Sequence, residues 1–520
     1  MQMKDPHQID SIWAAMDTEK GDLIERSETY SRWTVSAIMP PDGGDGVEQV
    51  KGNVHSGARL VNHLANRIVD VLFPISRPFF TVAMTPEAQL KLEQELGDEE
   101  AGKMQESIRD ATSKLEKVAM RKLSLTEYRP TAILACKHLI VTGNALLRRM
   151  PDGKRVLYPV DRYGVRRDIL GQEIEVVLSD KKMFSTFTEE MQELILAAHP
   201  ATKPEDVVQL LTHYKKDGKR WTINQEAEGV NLQNEKHQNE TDYDLLLLDW
   251  MLHPAENYGR GLVEDHAATF HSVDVTNEAI LDLMSIIADV KFFVRPGSPL
   301  SHDLAALNSA PRGTYWPGNA DDISVPEMRA RNDLATMIEV VARWEADLSQ
   351  AFLMSSVRNA ERVTAEEIRM VANELESSFG GLYSQLAQKW QQKEAEYAIS
   401  KVDFAKEIGS IGDMFEVVVT TGLESLSREG QIDNLRLAIG DLQMMEAVPE
   451  DLRGAMNSLR FAKFVFTNRS VDLKAFLNTQ EEMQANQEAA MQQAGRMEAE
   501  AGQQEVATHA GKAAVDNQQQ

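Results

Sequence analysis

The chain has 520 residues, enough for two to four packed cores, and its 42% hydrophobic and 26% charged side chains match a folded protein rather than a disordered one. No run of about 18 uncharged apolar residues exists to cross a bilayer, the amino-terminal MQMKDPHQIDSIW lacks the apolar stretch of a secretory signal, and the single Cys136 excludes an internal disulfide or multi-cysteine zinc site, which suits a reducing cytoplasm. A net charge of −26, from 81 acidic and 55 basic residues, excludes tight wrapping of nucleic acid over a broad surface, because that binding works by Lys and Arg displacing counterions from phosphates.

Residues 8–37 carry Ile9, Ile12, Trp13 and Met16 at helical spacing and end at the turn run MPPDGGDG. Asp42 and Asp45 in that run lack the spaced oxygens and closing Glu of a calcium loop, so it reads as a plain turn. A second helix starts near Ser56, aligns Leu60, Leu64, Ile68, Val69 and Leu72, and stops before Pro74. PFFTVAM then reads as a strand, followed by a charged helix over 86–124 and an apolar one over 130–142, where Cys136 is a core residue. GNALLRRM, RVLYPVDRYGVRRDILGQEIEVVL, DVVQLLTHYKKDGKRWTI and YDLLLLDWML read as short strands with Gly-containing turns, interrupted by a helix near 188–198. The fold class is α+β, mainly helical.

Two helical stretches follow, 270–290 and 332–354, the second with its stripe through Leu334, Ile338, Val341, Leu348 and Phe352. They can pair as a hairpin. Between them Pro296, Pro299, Pro311, Pro317 and Pro326 forbid a continuous helix and predict a small strand-and-turn tip.

RVTAEEIRMVANELESSFGG, residues 362–381, is a carefully specified helix: Thr364 and Glu367 form a capping box, and Ile368, Val371, Leu375, Phe379, Leu382 and Leu386 share one apolar face. Gly380 and Gly381 inside that pattern mark close packing or a bend. Upstream, SSVRNAER reads as an exposed loop bearing Arg358 and Arg362; taken singly, an exposed loop arginine is solubilising. FEVVVTTGLESLSREGQIDNLRLAIGDL predicts a strand, a turn and helix continuing to about 470. Residues 481–520 hold 9 Gln and 10 Ala with no aromatic residue, and cannot form a core alone.

Phosphate loops of the GxxxxGK[ST] and GxGxxG types are absent, since GDEEAGK at 97–103 is followed by Met104 rather than Ser or Thr, and HExxH and GxSxG are absent too, so no catalytic residue, cofactor or metal is expected. Carboxylates are too abundant to point to a site, which leaves a metal-dependent nuclease open as an alternative, with a channel-less helical scaffolding protein as a second.

Several stretches, in order, resemble the portal, or head-to-tail connector, proteins of short-tailed bacteriophages: SGARLVNHLANRIVDVLFP, VTGNALL, YGRG, DDISV, ERVTAEEIRMVANELESSFGGLYSQL and TTGLESLSREGQIDNL. The likeness covers most of the chain and is carried chiefly by residues 361–386. The resemblance implies a non-enzymatic ring of typically twelve subunits at one capsid vertex of the virion, assembled in the host cytoplasm, through which double-stranded DNA is packaged and ejected. It also implies partners: the terminase packaging motor, the major capsid and scaffolding proteins, and a tail adaptor, with no membrane. On this pattern residues 1–265 are the wing, 266–291 and 329–352 the stem helices, 292–328 the clip, 353–363 the tunnel loop, 364–415 a long wing helix, 416–480 the crown, and 481–520 a disordered tail or crown barrel. Arg358 and Arg362 would then face DNA in the channel, with Thr364 and Glu367 capping the helix that supports their loop. Twelve copies at −26 each would repel DNA overall, which suits a conduit that must let phosphates slip past.

Overall fold

The computed structural model describes residues 9–40, 54–75, 78–96, 98–232, 235–239, 243–288, 293–297, 304–309, 311, 319–324, 330–354, 374–379, 381–402, 415–419, 439–442 and 458–468. Two units are present, Met1–Leu423 and Glu424–Gln520. The expected turn at Asp42 and Asp45 and the 481–520 tail lie outside the described residues.

The first stretch forms two helices, α1 (Ile9–Glu19) and α2 (Gly21–Trp33), where the pattern predicts one. The break falls at Lys20, whose buried ammonium donates to the carbonyls of Val160, Asp161 and Tyr163 at 3.0–3.1 Å, pairs with Asp17 at 3.3 Å and lies over the Trp13 ring. A buried charge is tolerable only when its protons are satisfied in this way. The amides of Ile9 and Asp10 donate to the buried Glu226 carboxylate, which satisfies the orphan donors at the amino end of α1.

Helix α3 (Gly57–Leu72) buries the predicted Leu60, Leu64, Ile68, Val69 and Leu72. Strand β1 (Phe80–Met84) follows, then α4 (Pro86–Leu96), α5 (Asp98–Ser124) and α6 (Tyr128–Thr142), with Cys136 buried on α6. Next come β2 (Asn144–Arg149), β3 (Arg155–Tyr158), β4 (Tyr163–Arg167), β5 (Glu173–Met183), α7 (Glu189–Ala198), β6 (Val207–Asp217), β7 (Arg220–Ala227), β8 (Val230–Asn231), β9 (Lys236–Asn239) and β10 (Leu245–Asp249). A three-stranded sheet has the order β10-β2-β3, and a six-stranded antiparallel sheet runs β4-β5-β6-β7-β8 with β9 also on β7.

Alternation along β5 divides the cores. Val176 and Leu178 join the main core with α3 and α6, while Val177 turns to the opposite face and packs with Leu211 against Ile9 and Met16 of α1. A third cluster, around Phe184, Ile195 and Leu210, lies under α7.

Two stretches that carry the resemblance are one packed unit. The Asn144 side chain donates to the Gly259 carbonyl and accepts from the Gly259 amide, both at 2.8 Å. A Cβ on Gly143, at φ +77°, would stand 2.5 Å from Gly261 N and the Arg260 carbonyl carbon, so VTGNALL and YGRG meet backbone to backbone.

After α8 (Leu262–Asp265), the two long helices are α9 (Ala267–Ala288) and α11 (Ala330–Ala351), packed on each other as the expected hairpin. Within the tip, β11 (Phe293–Val294) pairs antiparallel with β12 (Ile323–Ser324), and a short helix α10 (Leu304–Ser309) lies between them in the chain. Residues 374–378 are helical, followed by α12 (Leu382–Leu386), a π-helix over Ala387–Gln392 and α13 (Lys393–Ser400). Strand β13 (Phe415–Val419) pairs antiparallel with β1. In the second unit α14 (Ser458–Asn468) buries Val465 and Phe466, packed with Leu442 and Phe461.

Candidate functional site

The four residues singled out in the sequence, Arg358, Arg362, Thr364 and Glu367, lie outside the described residues. What the structure gives is the pair of anchors where the chain enters and leaves segment 355–373, and both are built on buried groups.

The entrance is the foot of α9 and α11. Phe270 of α9 and Phe352 just beyond α11 are fully buried and meet edge to face at 5.9 Å, with Trp33 stacked on Phe270 at 6.3 Å. The Trp33 indole donates to Asp274 at 3.0 Å, and Ser56 donates to Glu345 at 2.9 Å, so both long helices are tied to the body.

Helix α11 then stops in a defined way. Leu353 N donates to Gln350 O at 3.0 Å and Met354 N to Ser349 O at 2.7 Å, the two bonds of a Schellman cap. The left-handed position of that cap is held by Leu353 at φ +55°, where glycine is usual and a side chain costs about 1–2 kcal/mol. Strain of this kind persists only where neighbours hold it.

Arg67 of α3 is one such neighbour. Its Nη1 donates to the Leu353 carbonyl, and its Nη2 lies 3.0 Å from Glu374 Oε2. One guanidinium therefore holds the last described turn before segment 355–373 and the first residue after it. His63, one helical turn before Arg67, is held below the ordinary histidine range by burial and by the Arg67 cation.

The exit is built as firmly. Leu375 is buried and Phe379 meets Trp250 edge to face at 5.2 Å. Gly381 adopts φ +89°, so the helical pattern bends here, one of the two outcomes the glycines predicted. Glu376 accepts from Ser384 Oγ at 2.6 Å and Ser384 N at 3.1 Å, which starts α12 beyond the bend. Leu382 and Leu386 are buried as expected. Farther on, the fully buried Asp249 accepts from Lys389 at 3.0 Å and Gln385 at 2.7 Å, with Arg167 at 3.5 Å.

Charge on the long helices is uneven. Helix α9 contains Asp274, Glu278 and Asp282 at successive fourth positions and no Lys or Arg. Exposed apolar side chains also lie along the pair: Val275, Leu281, Met284 and Ile286 on α9, Ile338 and Val340 on α11.

Sequence reasoning missed Arg67, Leu353 and Glu374. None breaks its local pattern, and the contacts join positions 286 and 307 residues apart. Among the described residues, no group of three or more His, Cys, Asp or Glu is placed to hold a metal ion, and no helix is long and apolar enough to cross a membrane.

Residues 7–476 match the family described as bacteriophage head to tail connecting protein. Over 498 residues the chain is 29% identical to the portal protein of Enterobacteria phage SP6, covering 94% of this chain and 93% of that one. It is 29% identical over 510 residues to the portal protein of Pseudomonas phage phiKMV, covering 94% and 96%, and 26% identical over 489 residues to that of Escherichia phage T7, covering 91% and 89%. Among solved structures, a chain of the native gene transfer agent virion shares 11% identity over 72% of this chain and 94% of that one, with a TM-score of 0.28, at which the likeness carries no argument.

Proposed function

From the chain's membership of the bacteriophage head to tail connecting protein family, we infer a structural portal function: the protein is the connector between head and tail in the virion. As a working arrangement, twelve copies close around an axis wide enough for duplex DNA, with residues 1–265 and 364–415 together with the paired strand β13 as wing, the α9–α11 hairpin as stem, residues 292–328 as clip and the chain from about 420 to 480 as crown.

The observation that supports a channel loop is the Arg67 clamp. A capped, strained helix end at Leu353 and an ion pair at Glu374, the first described helical residue after the segment, tie both flanks of segment 355–373 to one helix. Such a segment keeps its radius while its middle adapts to passing DNA. Arg358 and Arg362 within it would hold phosphates transiently, against a stem helix whose only full charges are acidic. Attraction at the loop arginines set against the net negative charge of the subunits would let the genome slide rather than stick.

The exposed apolar residues of α9 and α11 fit the same arrangement, since packing between neighbouring stems removes them from water. The clip would dock the terminase motor and later the tail adaptor, and the wing would meet the major capsid and scaffolding proteins, with assembly in the host cytoplasm. Head assembly with this chain omitted tests the role: closed heads that take up no DNA are expected, and heads that package to the normal density without it would contradict it.

A further inference from the structure

A cleft of about 760 Å³ opens where the ends of β2 and β9, the start of β10 and one face of α13 converge. It reverses the balance of the chain: five lining side chains are cationic and two are acidic, in a protein whose acids outnumber its bases. Only Arg148 has a carboxylate partner there, Asp244 at 3.3 Å. Arg149, Lys236, Lys393 and Lys401 form no ion pair with any described residue. Arg149 and Lys401 instead lie over the Tyr397 ring, 4.0 and 5.1 Å from its centre. Arg155, 4.9 Å from the same ring, differs in that Glu394 neutralises it.

Hydrogen bonding in the cleft is also incomplete. Arg149 Nε, Gln238 Oε1, Tyr243 Oη and Asp244 Oδ1 are shut off from water without a partner among the described residues. Of these, only the Arg149 Nε–H and the Tyr243 hydroxyl are donors of the kind a phosphate oxygen satisfies; Gln238 Oε1 and Asp244 Oδ1 are acceptors. Burial, foremost, and the neighbouring Arg155 cation hold the Arg149 guanidinium below its ordinary range, against the opposing pull of Glu394 and Asp244.

We propose that this cleft binds a small polyphosphate group, with Arg149, Lys236, Lys393 and Lys401 supplying the charge. A single carboxylate would neutralise one of these cations, whereas a di- or triphosphate brings several charges and many acceptor oxygens, and the guanidinium fork suits phosphate geometry. The volume is in the range of small-molecule sites, about 300–1,000 Å³. Inorganic polyphosphate and a nucleoside polyphosphate share this chemistry.

Calorimetric titration of the full chain at low salt, with inorganic tripolyphosphate and separately with a nucleoside triphosphate, tests the assignment. Saturable binding of either is expected, and tighter binding of the nucleotide identifies that source. The exposed-lysine variant Lys236→Gln/Lys393→Gln should weaken binding about tenfold or more, and Arg149→Gln should do the same. Citrate is the control for charge without phosphorus. No binding of either phosphate probe, equal binding by the double-lysine variant, or citrate binding as tight as tripolyphosphate would overturn the proposal.

Discussion

Arg67 and Glu374 stand 307 residues apart in the chain and 3.0 Å apart in space, and the same guanidinium reaches the carbonyl of Leu353. With side chains 22% and 39% exposed, the ion pair alone contributes at most about 1 kcal/mol. The charge-assisted bond to the strained Leu353 turn contributes the larger part, about 1.5–3 kcal/mol. Arg67→Ala should therefore loosen both ends of segment 355–373 without dissolving the fold. Hydrogen–deuterium exchange would show faster exchange over residues 349–354 and 374–379; unchanged exchange in both would mean the clamp holds nothing.

The loop itself is testable through its arginines. Replacing Arg358 and Arg362 by Ala should reduce DNA retention in filled heads while assembly proceeds, and the difference should shrink as salt rises, because phosphate contacts are screened. Thr364→Ala should remove about 1 kcal/mol from the start of the helix behind the loop. Equal packaging and retention in the double arginine variant would remove Arg358 and Arg362 from the mechanism.

Gly143 has no room for a side chain. Its φ of +77° and the 2.5 Å approach to Arg260 and Gly261 leave only backbone to move, so Gly143→Ala should cost at least about 2 kcal/mol. Thermal unfolding should show a lowered midpoint; an unchanged midpoint would mean the contact between residues 141–147 and 258–261 is slack.

Acid should weaken the fold through His138. Burial depresses this imidazole to about 4, from 6.5 when exposed, so it folds neutral. Between those values the unfolded chain binds the extra proton, and stability falls as pH falls, by roughly 3 kcal/mol at pH 4 from this group. Its contribution is fully present above pH 6.5. Urea unfolding of wild type and His138→Gln at pH 7 and pH 4.5 should converge toward acid; a constant difference would contradict this account.

Much of this architecture was legible where a local pattern decides the outcome. The apolar stripe of α3, the α9–α11 hairpin, the proline-broken tip and the short strands all follow from period and punctuation, because burial of one face fixes each element. Long-range partners were not legible. Lys20 divides the first predicted helix because carbonyls of residues 160, 161 and 163 accept its protons, a partnership no window around residue 20 contains. Strand β1 was predicted, but its partner β13 begins more than 300 residues later. The π-helix over Ala387–Gln392 follows a regular helical pattern and left no signal. The candidate site divides in the same way: the loop arginines and the helix cap are expectations from local sequence that lie outside the described residues, whereas Arg67 resembles any polar-face residue of α3 until Leu353 and Glu374 are brought to it.

The central claim is closure of many copies around an open axis. Electron microscopy of the purified, assembled protein tests it most directly: the account predicts rings with an axial hole wide enough for duplex DNA, about twelve subunits around. Monomers or small open clusters under every assembly condition would contradict it.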